Sequence, residues 1–228
     1  MKTTTYNLKA GQGMRAFTLV ELLVVISIIG IIAAMSVGAI RSASMKRDQS
    51  AVEAQKAKLI LALEDYKGKF GSYPPDNAAW ASTNAHWNPL AYELGGMRRS
   101  GVDFLSESDL SHVVTRAMIA SYFGLAVGQT VAETGLLNAT PSPTVRGKSF
   151  LLLKGGSGKT ADYVLITNGV PGMPPVMLLK VAAEHPTLSE NVWRYRSYPA
   201  NGHNPKSYDL WAEIKKSTGT TNTISNWK

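Results

Sequence analysis

The sequence predicts an α+β protein in which one long amino-terminal helix packs its second half on a small antiparallel β-sheet head. Residues 22–40 form an uncharged, largely apolar run of nineteen residues, close to the roughly 20 that cross a bilayer as a helix. No proline precedes Pro74, and apolar residues continue at helical spacing beyond the run. Short apolar or β-branched runs separated by Gly, Pro and Asn fill the carboxyl-terminal part and predict strands.

The composition excludes several classes of function. The net charge is +8, and three of the basic residues, Lys2, Lys9 and Arg15, lie in the first sixteen positions. The remaining basic residues form no stripe interleaved with aromatic residues, so we predict no nucleic-acid partner. The chain has no cysteine, which excludes disulfides, thiolate metal sites and a cysteine nucleophile.

The apolar run has two interpretations. A basic start followed by an apolar stretch also describes a secretory signal, and cleavage after Val37-Gly38-Ala39 would begin a soluble protein at Ile40. The run is longer than the usual apolar core of a signal peptide, 7–15 residues, and the charged Glu21 lies at its amino-terminal end. A carboxylate deep in a bilayer costs about 2.5–3.5 kcal/mol and normally marks function. Because of the length of the run and the position of this acid, we favour a membrane-spanning helix over a cleaved secretory signal.

The sequence Ala-Phe-Thr-Leu-Val-Glu-Leu at residues 16–22 gives Glu21 a specific context. It resembles the leader junction of type IV pilins and type II secretion pseudopilins, in which a small residue and Phe-Thr-Leu-x-Glu precede an apolar helix after a short basic leader. The resemblance implies that a prepilin peptidase cuts between Ala16 and Phe17 and methylates the new amine of Phe17. Ala16 departs from the usual glycine, and we expect slower cleavage there.

The resemblance also implies a role for the acid. Glu21 becomes the fifth residue of the mature chain and meets the Phe17 amine of a neighbouring subunit, so that two charges that are costly in a low-dielectric environment neutralise each other and set the axial register. The alternative is that Glu21 merely lies in the lipid headgroup layer. The family implies a single span in the inner membrane, with a cytoplasmic amino terminus, a periplasmic head and extraction into a fibre. Charge counting leaves the orientation open, because Arg41, Lys46 and Arg47 follow the span.

The pattern beyond the run predicts the rest of the architecture. An amphipathic face continues the helix: Val52, Leu59, Leu63, Tyr66 and Phe70. The predicted divisions are a cleaved leader (1–16), a transmembrane and assembly helix (17–41), its amphipathic continuation (42–70) and a globular head with an enlarged middle segment (71–228). We predict an irregular loop over 77–101 and a short helix from 110 to about 123. The predicted strands are 150–153, 163–166, 176–179, 193–198 and 208–211.

The carboxyl-terminal end carries a second resemblance. The blocks at 193–199, 208–211 and 224–227 are similar to the end of the major pseudopilin of type II secretion, in which an acidic loop binds calcium. Here the corresponding loop, 212–223, contains two lysines and no aspartate. Calcium prefers charged oxygen ligands, so we expect no high-affinity metal site and no cofactor. Asp209 and Glu213 are only weak calcium candidates.

Three patterns resemble a P-loop, a nucleophile elbow and a histidine metal site, but their residue spacing does not match those motifs. Gly-Gly-Ser-Gly-Lys-Thr at 155–160 lacks the first P-loop glycine, because Leu153 stands there, and Ser157 lacks the second spacer of a nucleophile elbow. The four histidines, at 86, 112, 185 and 203, have no metal-binding spacing. The five tryptophans, at 80, 87, 193, 211 and 227, fit either a binding surface or, more commonly, core anchors.

Together these observations predict a structural subunit without enzymatic activity, a pseudopilin of a type II secretion pseudopilus. The expected partners are a prepilin peptidase, copies of the chain and other pseudopilins, an inner-membrane assembly platform and membrane lipid. The alternatives are a type IV pilus subunit used for adhesion or motility and a membrane-tethered binding or enzyme domain. The segment 77–192 has no role assigned from sequence.

Overall fold

The computed structural model describes residues 17–76, 85–125, 136–155, 160–167, 169, 171–216 and 219–227. The chain divides into two compact units, Met1–Ala43 and Ser44–Lys228. The first long element, α1, is a helix over Leu19–Phe70. Among the described residues, one helix is long and apolar enough to cross a membrane, by length and composition, and the window that qualifies is Leu19–Ser36.

The second half of α1 buries the predicted face. Val52, Leu59, Leu63 and Tyr66 are all at most 3 % exposed, and Phe70 packs against the same core. The heptad-like spacing therefore predicted these contacts correctly. The helix ends where Gly71, at φ +78°, donates its N–H to the Lys67 carbonyl over 2.8 Å, a left-handed ending that glycine adopts without strain.

The head contains two further helices and nine strands among the described residues. The helices are α2 (Leu90–Gly95) and α3 (Arg116–Phe123). The strands are β1 (Met97–Ser100), β2 (Asp103–Ser106), β3 (Val113–Val114), β4 (Ala139–Thr140), β5 (Tyr163–Ile166), β6 (Val176–Leu179), β7 (Arg194–Ser197), β8 (Tyr208–Lys215) and β9 (Thr221–Ser225). The α+β class is thus confirmed, and a long apolar helix followed by small sheets is consistent with a pilin-like fold.

The strands form three small sheets in place of a single one. Their orders are β3-β2-β1-β4, β5-β6 and β7-β8-β9. All pairs are antiparallel except β1 with β4, which is parallel. In the last sheet, Tyr195, Leu210, Ala212 and Ile224 turn into the core, as the two-residue period of a half-buried sheet requires.

Three sequence predictions in the middle segment are wrong. Residues 85–101 of the predicted loop contain α2 and β1, while 77–84 lie outside the described residues. The helix predicted from 110 starts only at Arg116, because Val113 and Val114 pair with β2 and Thr115 supplies the amino-terminal cap. Residues 150–153 form no strand, because the N–H groups of Phe150 and Leu151 donate to the Leu94 carbonyl at the end of α2.

The other strand predictions are confirmed. Residues 163–166 and 176–179 are β5 and β6 with the predicted bounds. The run 193–198 contains β7, and 208–211 extends as β8 to Lys215. The segment 212–223, which corresponds to the calcium-binding loop of the major pseudopilin, is largely a hairpin, because β8 and β9 continue their ladder from Trp211 opposite Ser225 to Lys215 opposite Thr221.

Candidate assembly site at the amino terminus

Thr18 and Glu21 form a reciprocal pair at the start of α1. The backbone N–H and the hydroxyl of Thr18 donate to Glu21 Oε2 over 2.9 and 2.8 Å. In return, the Glu21 N–H donates to Thr18 Oγ1 over 3.2 Å. This arrangement is a capping box, which satisfies donors that the first turn of a helix otherwise leaves unpaired.

The pair leaves part of the carboxylate available. Both bonds from Thr18 go to Oε2, and Oε1 accepts no hydrogen bond from the described residues. The acid also lies in the first turn, where the helix dipole favours a negative charge. Glu21 can therefore cap its own helix and still present one carboxylate oxygen to another group.

The apolar segment is exposed in the part of the chain that the structure describes. None of the residues of Leu19–Ser36 is buried, and Phe17, just before the helix, is 77 % exposed. Ser27 and Ser36 donate their hydroxyls to the carbonyls of Leu23 and Ile32, over 2.7 and 2.8 Å, which leaves few polar groups unpaired in an apolar environment. Such a surface requires lipid or other helices around it.

A known family motif matches this same segment of the chain. Residues 12–37 match the family model of the prokaryotic N-terminal methylation motif. The chain carries a type IV pilin-like leader. Neither a curated protein nor a solved structure matches the chain at a significant level.

The match has direct consequences for the amino terminus. The motif implies processing by a prepilin peptidase and assembly with other pilin-like subunits. It agrees with the apolar helix at residues 19–36, which is consistent with a single-pass membrane anchor. Pilin-like structural subunits are generally not enzymes. Ala16, the residue before the expected cut, lies outside the described residues.

Asp209, the first weak calcium candidate, is engaged by its own loop. Its side chain is 2 % exposed. It accepts from the backbone N–H groups of His203 and Asn204, over 2.8 and 2.9 Å, and from the Asn204 amide over 3.0 Å. These contacts use both carboxylate oxygens and fix the turn that precedes β8.

Glu213, the second candidate, belongs to a separate cluster. Its Oε2 accepts from His185 Nε2 over 3.0 Å and lies 3.4 Å from Arg194. His185 Nδ1 accepts the N–H groups of Thr187 and Leu188, and Arg194 Nη2 lies 3.2 Å from His185 Nε2. Within the described ranges, no group of three His, Asp or Glu residues is placed to hold a metal ion.

The other sequence candidates are placed as follows. Ser157 and most of the Gly-rich run, residues 156–159, lie outside the described residues. His112 is buried and hydrogen-bonds to the Tyr92 hydroxyl over 2.8 Å. Trp193 is a core anchor at 1 % exposure, whereas Trp211 and Trp227 are half-buried at the surface.

Thr18 is the functional neighbour that the sequence reasoning missed. The signal was present, because Thr18-x-x-Glu21 before an apolar run is the sequence pattern of a capping box. The resemblance drew attention to the charge of Glu21 and not to its local partner.

Proposed function

We propose that this protein is a structural subunit of a type II secretion pseudopilus, assembled through its amino-terminal helix after a prepilin peptidase cuts between Ala16 and Phe17. The observation that carries the proposal is the coincidence of the methylation motif at residues 12–37 with an apolar helical window, Leu19–Ser36, none of whose residues is buried by the part of the chain that the structure describes. The head requires no catalytic role.

Glu21 and Phe17 supply the specificity of assembly in this proposal. Cleavage creates an α-amine at Phe17 whose ordinary pKa is about 7.7–8.0, so it is mostly cationic at neutral pH. Glu21 Oε1 accepts from the Phe17 amine of the next subunit while Oε2 keeps the Thr18 cap. Neutralising two charges in an apolar environment defines one register, because a shifted subunit would leave both charges unpaired.

The membrane arrangement follows from the same processing. The leader stays in the cytoplasm, the helix crosses the inner membrane once, and the head lies in the periplasm before extraction into a fibre. The proposed partners are the prepilin peptidase, copies of this chain and other pseudopilins, the inner-membrane assembly platform and lipid.

The first experiment measures the mass of the amino-terminal peptide from purified membranes. A peptide that begins with N-methylated Phe17 supports the proposal. A start at Ile40 in a soluble fraction would show a secreted protein, and an intact Met1 would show a plain anchor.

The second experiment separates the charge of Glu21 from its cap. Glu21→Gln keeps an oxygen that can complete the capping box but removes the charge, whereas Glu21→Ala removes both. We expect both variants to be processed and both to lose fibres that sediment after shearing. Normal assembly of Glu21→Gln would contradict the charge pair.

The choice of machine needs a separate readout. In a deletion strain, failed export of secreted proteins with intact surface pili supports the pseudopilus. Normal export with loss of surface fibres, adhesion or motility would instead show a type IV pilus subunit.

A further inference from the structure

The outer face of the carboxyl-terminal sheet carries a groove of 310 Å³ with an aromatic wall. Its volume lies at the lower end of the range for small-ligand sites, about 300–1,000 Å³. The lining residues come from β7, β8 and β9, from the turn before β8 and from the segment after β9: Arg196, Asn201, Gly202, His203, Asp209, Trp211, Thr223 and Trp227.

The aromatic wall consists of three rings. His203 stacks on Trp227 with ring centroids 4.2 Å apart and an angle of 8° between the planes. Trp211 meets Trp227 edge-on, at 5.5 Å and 65°. Trp211 points away from the core, because its strand neighbours Leu210 and Ala212 are buried. Two tryptophans at a half-buried surface position contribute less to the core than Trp193 does and are available to a ligand.

The groove is built on rigid parts. Asp209 holds the turn through His203 and Asn204, as described above, and Gly202 passes so close to Asp209 that an added Cβ would lie 2.4 Å from Oδ2. Little conformational entropy is therefore lost when a ligand binds, which favours affinity.

The groove contains one charged side chain of each sign, Asp209 and Arg196. Both oxygens of the Asp209 carboxylate accept hydrogen bonds from its own loop. Arg196 lies over the Trp211 ring at 5.9 Å, and its positive charge also acts on Asp76. Arg196 Nε is buried and has no hydrogen-bond partner in the part of the chain that the structure describes. Buried arginine donors normally have partners, so this guanidinium is suited to an anionic ligand group, for which its planar fork matches a carboxylate.

We propose that this groove binds an acidic polysaccharide, one sugar ring at a time. A pyranose presents an apolar C–H face, which packs on the Trp227 ring while the edge of the sugar contacts Trp211. It also presents a rim of hydroxyls, which the exposed Asn201, His203 and Thr223 can reach. A ring carboxylate pairs with Arg196. A single-stranded nucleic acid would need a track of several cations, and the groove contains one arginine.

The test uses the full chain in a polyoxyethylene detergent, because glycoside detergents would compete for the groove. Binding of polygalacturonate and of neutral galactan is measured by tryptophan fluorescence and calorimetry at two salt concentrations. We expect polygalacturonate to bind and galactan to bind at least about tenfold more weakly.

Three variants and one control decide where binding occurs. Thr223→Arg fills the groove and also adds a positive charge, so a specific site loses about tenfold or more in affinity whereas non-specific attraction becomes stronger. Trp227→Ala removes the stacking surface, and Arg196→Gln reduces the preference for polygalacturonate. Trp87→Phe changes a half-buried tryptophan outside the groove and is expected to bind as the unmodified chain does.

Several results would overturn the proposal. These are absence of polygalacturonate binding by the unmodified chain, unchanged or tighter binding by Thr223→Arg, and equal binding of the neutral polymer. Groove-dependent binding of a single-stranded oligonucleotide without polysaccharide binding would also overturn it. Circular dichroism of each variant verifies the fold, and Trp227→Ala provides the test if Thr223→Arg does not fold.

Discussion

The hydroxyl of Tyr66 donates to Glu93 Oε2 over 2.7 Å, inside the core of the head. Tyr66 belongs to α1 and Glu93 to α2, and both are 0 % exposed. The carboxylate also accepts the N–H groups of Leu137 and Asn138, over 2.8 and 2.9 Å. No cation of the described residues lies within ion-pair distance of it, and burial raises the pKa of Glu93 to about 7. One acid thus joins the long helix, the short helix and a distant loop.

Tyr66→Phe removes one of the donors to this acid. Burial raises the pKa of Tyr66, so the hydroxyl remains a donor at all ordinary pH values. We expect the free energy of unfolding to fall by about 1–3 kcal/mol at pH 8, where the carboxylate is charged and would lose a partner. Urea unfolding followed by tryptophan fluorescence measures it. Tyr198→Phe, at an exposed tyrosine, is the matched control, and equal midpoints for the two variants would contradict the prediction.

Glu93 makes stability depend on pH. Its pKa rises from 4.5 in the unfolded chain to about 7 in the folded protein. Between these values the folded state holds more protons, so this group lowers the free energy of unfolding as pH rises, by about 3 kcal/mol over the whole window. Below about pH 4.5 and above about pH 7 its contribution is constant.

The measurement compares the unmodified chain with Glu93→Gln across pH 4–8. Burial lowers the pKa values of His86 and His112, and these groups contribute the opposite slope, because the unfolded state then binds more protons. The glutamine variant keeps those slopes and loses that of Glu93. We expect its stability relative to the unmodified chain to rise with pH between about 4.5 and 7. A constant difference would show that Glu93 does not titrate in this window.

Gly147 leaves no room for a side chain. A Cβ there would lie 2.5 Å from both the N and the O of Met97, in the backbone of β1. Backbone atoms cannot move aside as a flexible side chain can, so we expect Gly147→Ala to lower the free energy of unfolding by about 1–3 kcal/mol.

Gly68 provides the opposite control. It lies in α1 with nothing within 4 Å of an added Cβ, and Gly68→Ala is expected to stabilise the helix by about 0.5–1 kcal/mol. Thermal unfolding of the two variants should give melting temperatures on opposite sides of the unmodified chain. Equal stability of Gly147→Ala and the unmodified chain would contradict the close approach to β1.

The parts of the fold that the sequence predicted are those with a local cause. Helical spacing placed Val52, Leu59 and Leu63 on the buried face of α1, and β-rich runs placed β5 and β6. The middle segment failed because its elements depend on distant partners. Phe150 and Leu151, apolar enough for a strand, instead donate to the carboxyl-terminal end of α2, which no pattern within residues 150–153 indicates.

The candidate site residues also have a local signal. The residues around the leader junction form a continuous motif, and its resemblance to the pilin leader was enough to name Phe17 and Glu21 as candidates. The groove beside Trp211 could not, because Arg196, His203 and Trp227 are brought together only by the register of β7, β8 and β9. Tryptophans alone do not show which of them remain at the surface.

Thr18→Val tests the cap at the start of α1 while leaving the Glu21 charge in place. Valine keeps the shape of threonine but removes the hydroxyl that accepts from the Glu21 N–H, at a cost of about 1 kcal/mol. A cost of about 1 kcal/mol shifts the equilibrium between the ordered and the frayed first turn of α1 about fivefold toward the frayed form. Since Glu21 then samples more orientations, we expect fewer sedimentable fibres than in the unmodified chain, although not the full loss expected for Glu21→Gln.

Thr18→Ser is the control for this experiment, because it keeps the hydroxyl and so the capping box. Both substitutions lie two residues from the processing site, so the mass of the amino-terminal peptide must first show a start at Phe17 in each. With equal processing, a fibre yield that follows the hydroxyl assigns the cap a role in presenting the carboxylate. If Thr18→Val assembles as well as Thr18→Ser, the orientation of Glu21 is instead fixed by the neighbouring subunit, and the capping box serves only the isolated helix.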